Sequence, residues 1–329
     1  MKQGHKRRVT SYESRVTTCA LLLLFGTGHA AAQGFPSKPI RYIIPSTGGT
    51  EIVGRLVGQG MSEVLGQQVI VDPRTGAGGN LGAEVAAKSP ADGYTVFQAT
   101  QSHTFNASYY RRLPYDLLRD FAPVSRTDIS PMVVVVHPSL PVKSIAELVK
   151  LGRARPGRID YSSAGIGTST YLAAELFKSV ANVNLNEVPY RSGAPSLTAV
   201  LAGEVPVYFG PLATVMPFVK EGRLRALAVS TTKRLELLPD YPTVAESGYP
   251  GYEASNWHGL MVPVATPKEI VAALHAAIVA GLQRSQVARR FSDLGYTVIG
   301  DRPEEFAAFI RADIEKWRAI VQKRGISAE

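Results

Sequence analysis

The residues with a chemistry to offer are hydroxyls and glycines gathered in short turns before apolar helices. One turn runs Ser163, Ala164, Gly165, Ile166, Gly167, Thr168 and Ser169, and the helix after it repeats Leu172, Ala173, Leu176, Phe177 and Val180 at three-and-four spacing. The chemistry this suits is the holding of an anion. A helix start leaves backbone N–H groups unpaired, glycine lets a ligand approach the backbone, and Ser163, Thr168 and Ser169 add hydroxyl donors. Ordinary capping by Ser and Thr accounts for one such turn taken alone. A second turn, Ser46, Thr47, Gly48 and Gly49 between Pro45 and Thr50, stands between an apolar strand at 40–44 and a helix striped with Ile52, Val53, Leu56, Val57 and Met61. Two such units far apart in the chain predict two α/β lobes whose helix N-termini face one cleft, since open α/β sheets hold ligands beyond the carboxyl ends of their strands. Thr100, Gln101, Ser102, His103 and Asn106, after a strand at 94–98, read as a polar loop on the same cleft.

Other chemistries have no pattern to stand on. His103, His137, His258 and His275 form no H-x-H or H-E-x-x-H, and the sole cysteine is Cys19, so no metal site is predicted. No G-x-S-x-G elbow, P-loop or isolated pair of carboxylates occurs. Gly165-Ile166-Gly167 stops short of a dinucleotide fingerprint, because Thr170 holds the third glycine position. No cofactor is expected, and the cleft is read as holding an anion without transforming it.

Residues 1–32 have the three-part build of a secretory signal: basic Lys2, Lys6, Arg7, Arg8 and Arg15, an apolar run over 21–25, and Ala30-Ala31-Ala32 before Gln33. The run is too short for a membrane span. Cleavage near Ala32 would take Cys19 with it, leaving no disulfide. Of the formal charge of +9, five basic residues and one acidic residue lie in this segment, so +5 remains. Without a basic run or aromatic interleaving, that excess does not argue for nucleic acid.

The roughly 300 residues that remain are long enough for two soluble domains. A short strand at 69–71, a glycine-rich turn at 72–80 and a helix through Leu81 and Val85 complete the first lobe's start. Residues 132–136 read as a strand crossing to the second lobe, where Ser144 and Glu147 box the start of a helix at 145–151. Strands at 187–190, 205–209 and 224–230 alternate with helices at 194–202 and 217–220. Residues 257–263 read as the return crossing, and Thr266, Pro267 and Glu269 open the C-terminal helices. The expected lobes are 33–133 with 256–329, and 134–255.

The succession Gly76-Ala77-Gly78-Gly79-Asn80-Leu81-Gly82, Asp92-Gly93-Tyr94-Thr95, Leu113-Pro114-Tyr115-Asp116 and Asp120-Phe121-Ala122-Pro123-Val124 resembles the tripartite tricarboxylate transporter substrate receptors, the Bug family. The likeness continues through His137-Pro138-Ser139-Leu140-Pro141, residues 161–169, Val188-Pro189-Tyr190, Leu224-Arg225-Ala226-Leu227 and Pro242-Thr243-Val244, and so spans the mature chain. It implies a two-lobed periplasmic-binding-protein fold, type II-like, with two crossing strands. It further implies a monomeric, non-enzymatic receptor in the periplasm that closes on a small carboxylate. Delivery would be to the small and large membrane subunits of such a transporter, or the closed receptor would be presented to a sensor protein instead. Carried over by position, the carboxylate-holding turn falls on Ser163, Ala164, Gly165, Gly167, Thr168 and Ser169, with Tyr190 beside it. Three places depart from the family pattern. The first-lobe turn is shorter, with Glu51 where aspartate is usual; Phe209 and Gly210 occupy a cleft loop that often has aspartate; and Tyr171 replaces a frequent histidine.

Overall fold

The computed structural model describes Met1 and residues 34–328, so the expected signal segment lies outside the described residues. The first half of the chain runs β1 (Ile40–Ile44), α1 (Gly49–Leu65), β2 (Val69–Pro73), α2 (Asn80–Ala87), β3 (Thr95–Thr100), α3 (Gln101–Tyr109), β4 (Phe121–Ser130) and β5 (Met132–Val136). It continues through α4 (Ile145–Ala154), β6 (Asp160–Ser163), α5 (Ser169–Ala181), β7 (Asn186–Pro189), α6 (Gly193–Leu201), β8 (Val207–Pro211), α7 (Leu212–Lys220) and β9 (Arg225–Val229). The last stretch is β10 (Asn256–Pro263), α8 (Lys268–Leu282), α9 (Ser285–Asp293), β11 (Thr297–Val298) and α10 (Pro303–Arg324).

Two mixed sheets result. The first has the order β11-β4-β10-β3-β1-β2 and the second β7-β6-β8-β5-β9. In the first, β1 lies parallel to β2 and β3, while β10 runs antiparallel between β3 and β4. In the second, β6 lies parallel to β7 and β8, and β5 is antiparallel to β8 and β9. β5 is buried at all five residues, as a central strand with both faces covered requires.

The crossings differ from expectation in place. Residues 132–136 do not span the lobes: Met132 already pairs with Pro211 in the second sheet, so the passage is made at Pro131, between β4 and β5. Residues 257–263 are likewise a full strand of the first sheet, and the return falls just before it. Ala254 still donates to the second lobe's Ser230, and Ser255 accepts from Gln101 of the first. The ten-residue β4 was not legible beforehand, because its apolar pattern is broken by Ser125, Thr127 and Asp128. All three are buried and bonded, Ser125 to Asp301, and Asp128 to Thr127 and His258. The C-terminal helices open one step late. Thr266 spends its hydroxyl on the Pro263 carbonyl, and Pro267 stands before α8 rather than inside it.

α10 joins the two cores. Its first turns place Phe306, Ile310 and Ile314 in the first lobe's core with Phe97, Trp257 and Met261. Its later turns place Trp317, Ile320 and Val321 among Leu172, Leu176 and Phe177 of the second lobe. A helix of 22 residues is about 33 Å long, enough to reach both. The lobes are therefore tied by more than their two chain crossings. Arg324 Nε lies 3.2 Å from the buried carboxylate of Glu175, and Lys323 Nζ donates to Ser179 O at 2.8 Å. α1 and α8 of the first lobe meet backbone to backbone, since a Cβ at Gly60 would lie 2.7 Å from Gly281 O.

Candidate functional site

The 163–169 turn connects the carboxyl end of β6 to α5, and its hydroxyls are largely consumed in holding its own shape. Ser163 Oγ donates to Glu187 Oε1 at 2.5 Å and accepts from Gly165 N–H at 2.9 Å. Thr170 Oγ1 accepts from Ala164 N–H at 2.9 Å. Thr168 Oγ1 donates to Gly165 O at 2.6 Å, so Thr168 braces the turn instead of capping α5 with its side chain. Gly165 and Gly167 take φ of 99° and 81°, a region that favours glycine. Among the described residues, the amides of Ile166, Gly167, Ser169, Thr170 and Tyr171 and the hydroxyl of Ser169 have no acceptor. These donors, together with the positive end of the 13-residue α5, are what remains for an anion. Glu187 lies just behind the turn. Burial pushes its carboxyl above the usual range, only partly offset by the Ser163 hydroxyl.

On the first lobe, Ser46, Thr47, Gly48 and Gly49 are exposed at the start of α1, whose first amides, on Gly49, Thr50 and Glu51, are also unpaired among the described residues. The Glu51 side chain turns away along the helix to Arg55 Nε at 2.9 Å. The predicted polar loop at 100–106 is instead the first turns of α3. Thr100 and His103 close a capping box, with Thr100 N–H donating to His103 Nδ1 at 3.0 Å. That bond puts the ring proton on Nε2, which faces Gly79 O at 3.3 Å. His103 is wholly buried, and burial pulls its imidazole down to about 4, so the ring is neutral and structural. Its neighbour Ser102 faces the other way. Ser102 Oγ donates to Gly167 O at 2.7 Å, joining the first lobe to the second at the 163–169 turn.

The structure therefore brings Ser102 together with Gly167 and the 163–169 turn, and leaves His103 behind it. Tyr190 is adjacent, its N–H donating to Ser163 O. Phe209 is fully buried against Tyr161 and Phe177. Gly210 is required by packing, because a Cβ there would lie 2.4 Å from the Tyr208 ring and from Val215. Sequence reasoning missed Tyr296. Its hydroxyl stands 3.4 Å from where a Gly49 Cβ would be, and its ring lies near His258. Nothing in the local pattern marks it, since only the fold carries the 296 region to the start of α1. The lobes touch again nearby, where a Cβ on Gly295 would lie 2.9 Å from Leu212 of α7. Among the described residues no group of His, Cys, Asp or Glu is placed to hold a metal.

Two α/β lobes joined by two chain passages are the architecture of solute-binding receptors of the periplasmic-binding-protein fold. A profile of the family described as "Tripartite tricarboxylate transporter family receptor" matches residues 53–326, and the chain belongs to that family, one of receptors and not of enzymes. The protein BugT of Bordetella pertussis is 33% identical over 299 residues, covering 90% of this chain and 92% of BugT. An R. palustris protein solved with adipate superposes with a TM-score of 0.80 at 34% identity, covering 89% of this chain and 99% of the other. MatC from Rhodopseudomonas palustris, with bound malate, gives 0.77 at 29% identity over 87% of this chain and all of MatC.

Proposed function

We propose that this protein captures a small carboxylate between its lobes in the periplasm and delivers it to the small and large subunits of a tripartite tricarboxylate-type transporter. The observation that carries the reading is the row of amides at Ile166, Gly167 and the start of α5 that have no acceptor among the described residues, on a turn whose Gly167 carbonyl accepts from Ser102 of the opposite lobe. Such a row suits a carboxylate, whose charge it meets with N–H donors and a helix dipole, with no arginine needed. Similar receptors with adipate and malate support the ligand class. The lobes are 33–131 with 256–329, and 132–255, Met132 and Val133 going with the second because they pair with Pro211 and Gly210; the mature chain begins near Gln33, is exported and acts as a monomer.

Calorimetric titration of the mature protein with mono-, di- and tricarboxylates tests the reading. Saturable, enthalpic binding of at least one acid is expected, and silence across the panel would overturn it. The intact mass of protein recovered from the periplasm checks the start near Gln33.

A further inference from the structure

Leu113, Tyr115 and Asp116, part of the motif that carried the family likeness, take no part in the cleft. They line a surface cavity of about 480 Å³ at the carboxyl end of α3. Its apolar wall includes the buried Leu117 and Ile314, and beside them Leu118 is 45% exposed. Four arginines line the same cavity. Arg119 is bound to Asp120 and Arg318 to Glu315, whereas Arg111 and Arg112, adjacent and exposed, have no partner among the described residues.

The cavity is also connected inward. Tyr115 Oη donates to Asn80 Oδ1 at 2.7 Å, and the same oxygen accepts from Asn106 Nδ2 at 2.9 Å. Asn106 in turn abuts the second lobe, since a Cβ on Gly167 would lie 3.5 Å from Asn106 Oδ1. Two hydrogen bonds and one close approach thus run from the cavity wall to the 163–169 turn.

We propose that this cavity is a docking surface for an acidic segment of a protein partner, one that carries an apolar side chain between its carboxylates. The unpaired guanidinium forks of Arg111 and Arg112 match carboxylates, and the apolar wall accepts the side chain. Only the link to the cleft rests on the receptor reading; the docking does not.

Fluorescence anisotropy with a labelled Asp-Glu-Phe-Glu-Asp peptide at low salt tests it, beside a Lys-Lys-Phe-Lys-Lys control. Saturable binding of the acidic peptide alone is expected, weakened roughly tenfold or more by added salt and by the Arg111→Glu, Arg112→Glu double substitution. The double variant should keep its far-ultraviolet circular dichroism and its affinity for malate or adipate. No binding of the acidic peptide, or equal binding by the folded double variant, overturns the proposal. So does displacement by pyrophosphate as effective as by unlabelled peptide, or binding to anionic vesicles in its place. Peptide binding by a protein that takes up no carboxylate would uphold the docking surface and overturn the receptor reading.

Discussion

Ser102 Oγ, on the first turn of α3, donates to the carbonyl of Gly167, on the turn before α5, at 2.7 Å. The bond joins the first lobe to the 163–169 turn, so under the proposed function it favours the closed arrangement. Removing it by Ser102→Ala costs about 0.5–1.5 kcal/mol of closure, a two- to tenfold loss in carboxylate affinity by calorimetry. Affinity equal to that of the unaltered protein would show that closure does not draw on this bond.

Gly167→Val should act more strongly. The residue sits at φ 81°, and a Cβ there already meets Asn106 and Phe105 of the other lobe at 3.5 and 3.7 Å. A branched side chain adds strain of order 1–3 kcal/mol to a steric block between the lobes. Binding should fall by at least about a hundredfold, and scattering should show a radius of gyration that ligand no longer shrinks. A variant that still contracts with ligand would place closure elsewhere.

Ser169 and Thr168 are adjacent hydroxyls with opposite expected behaviour. Ser169 Oγ is unengaged among the described residues and available to a ligand, so Ser169→Ala should remove a charge-assisted bond and lower affinity roughly ten- to hundredfold. Thr168 is spent on Gly165 O, so Thr168→Ala should lower stability by about 1 kcal/mol with little change in affinity. Paired titration and thermal melting read the two effects separately, and the reverse pattern would mean that the turn rearranges on binding.

Stability should fall on acidification through His103. Its folded imidazole is pulled from 6.5 down to about 4 by burial, so the unfolded chain binds the proton first. Below pH 6.5 the unfolded state therefore gains, and by pH 4 the loss from this residue reaches about 3 kcal/mol. Urea denaturation at pH 7, 5.5 and 4.5 should show that part of the slope disappear in His103→Asn. An unchanged slope would assign the acid sensitivity to other groups.

Glu175 fastens α10 to the second lobe. It is 3% exposed and is held by Lys178, Arg324 and Tyr161 Oη. Glu175→Gln leaves Lys178 buried without its counter-charge, at a cost of about 3–5 kcal/mol. For a chain of this length that lowers Tm by roughly 5–8 °C in calorimetry. A shift under about 2 °C would mean that solvent reaches the lysine.

Much of this protein was decided locally. The strand at 40–44, the 163–169 turn and the helix after it follow from apolar period, glycine placement and backbone donors left free at a helix start, all of which act within a few residues. So does the capped start of α4, where Ser144 Oγ accepts from Glu147 N–H. The family likeness, carried by short motifs in one order, extended that reading to the two-lobed receptor fold.

Other features exist only because the chain returns on itself. β4 holds Ser125, Thr127 and Asp128 in a buried strand because Asp301 and His258, more than a hundred residues away, supply their bonds. Residues 101–106 became a helix because buried His103 closes its cap against Gly79, which no local propensity predicts. Tyr296 reaches Gly49, and α10 ties both cores, through contacts between segments that carry no mark of each other in their composition. Hydrogen-bond satisfaction and packing are properties of the assembled interior, so the partners of buried polar groups, and the residues that meet the 163–169 turn, were settled only by tertiary structure.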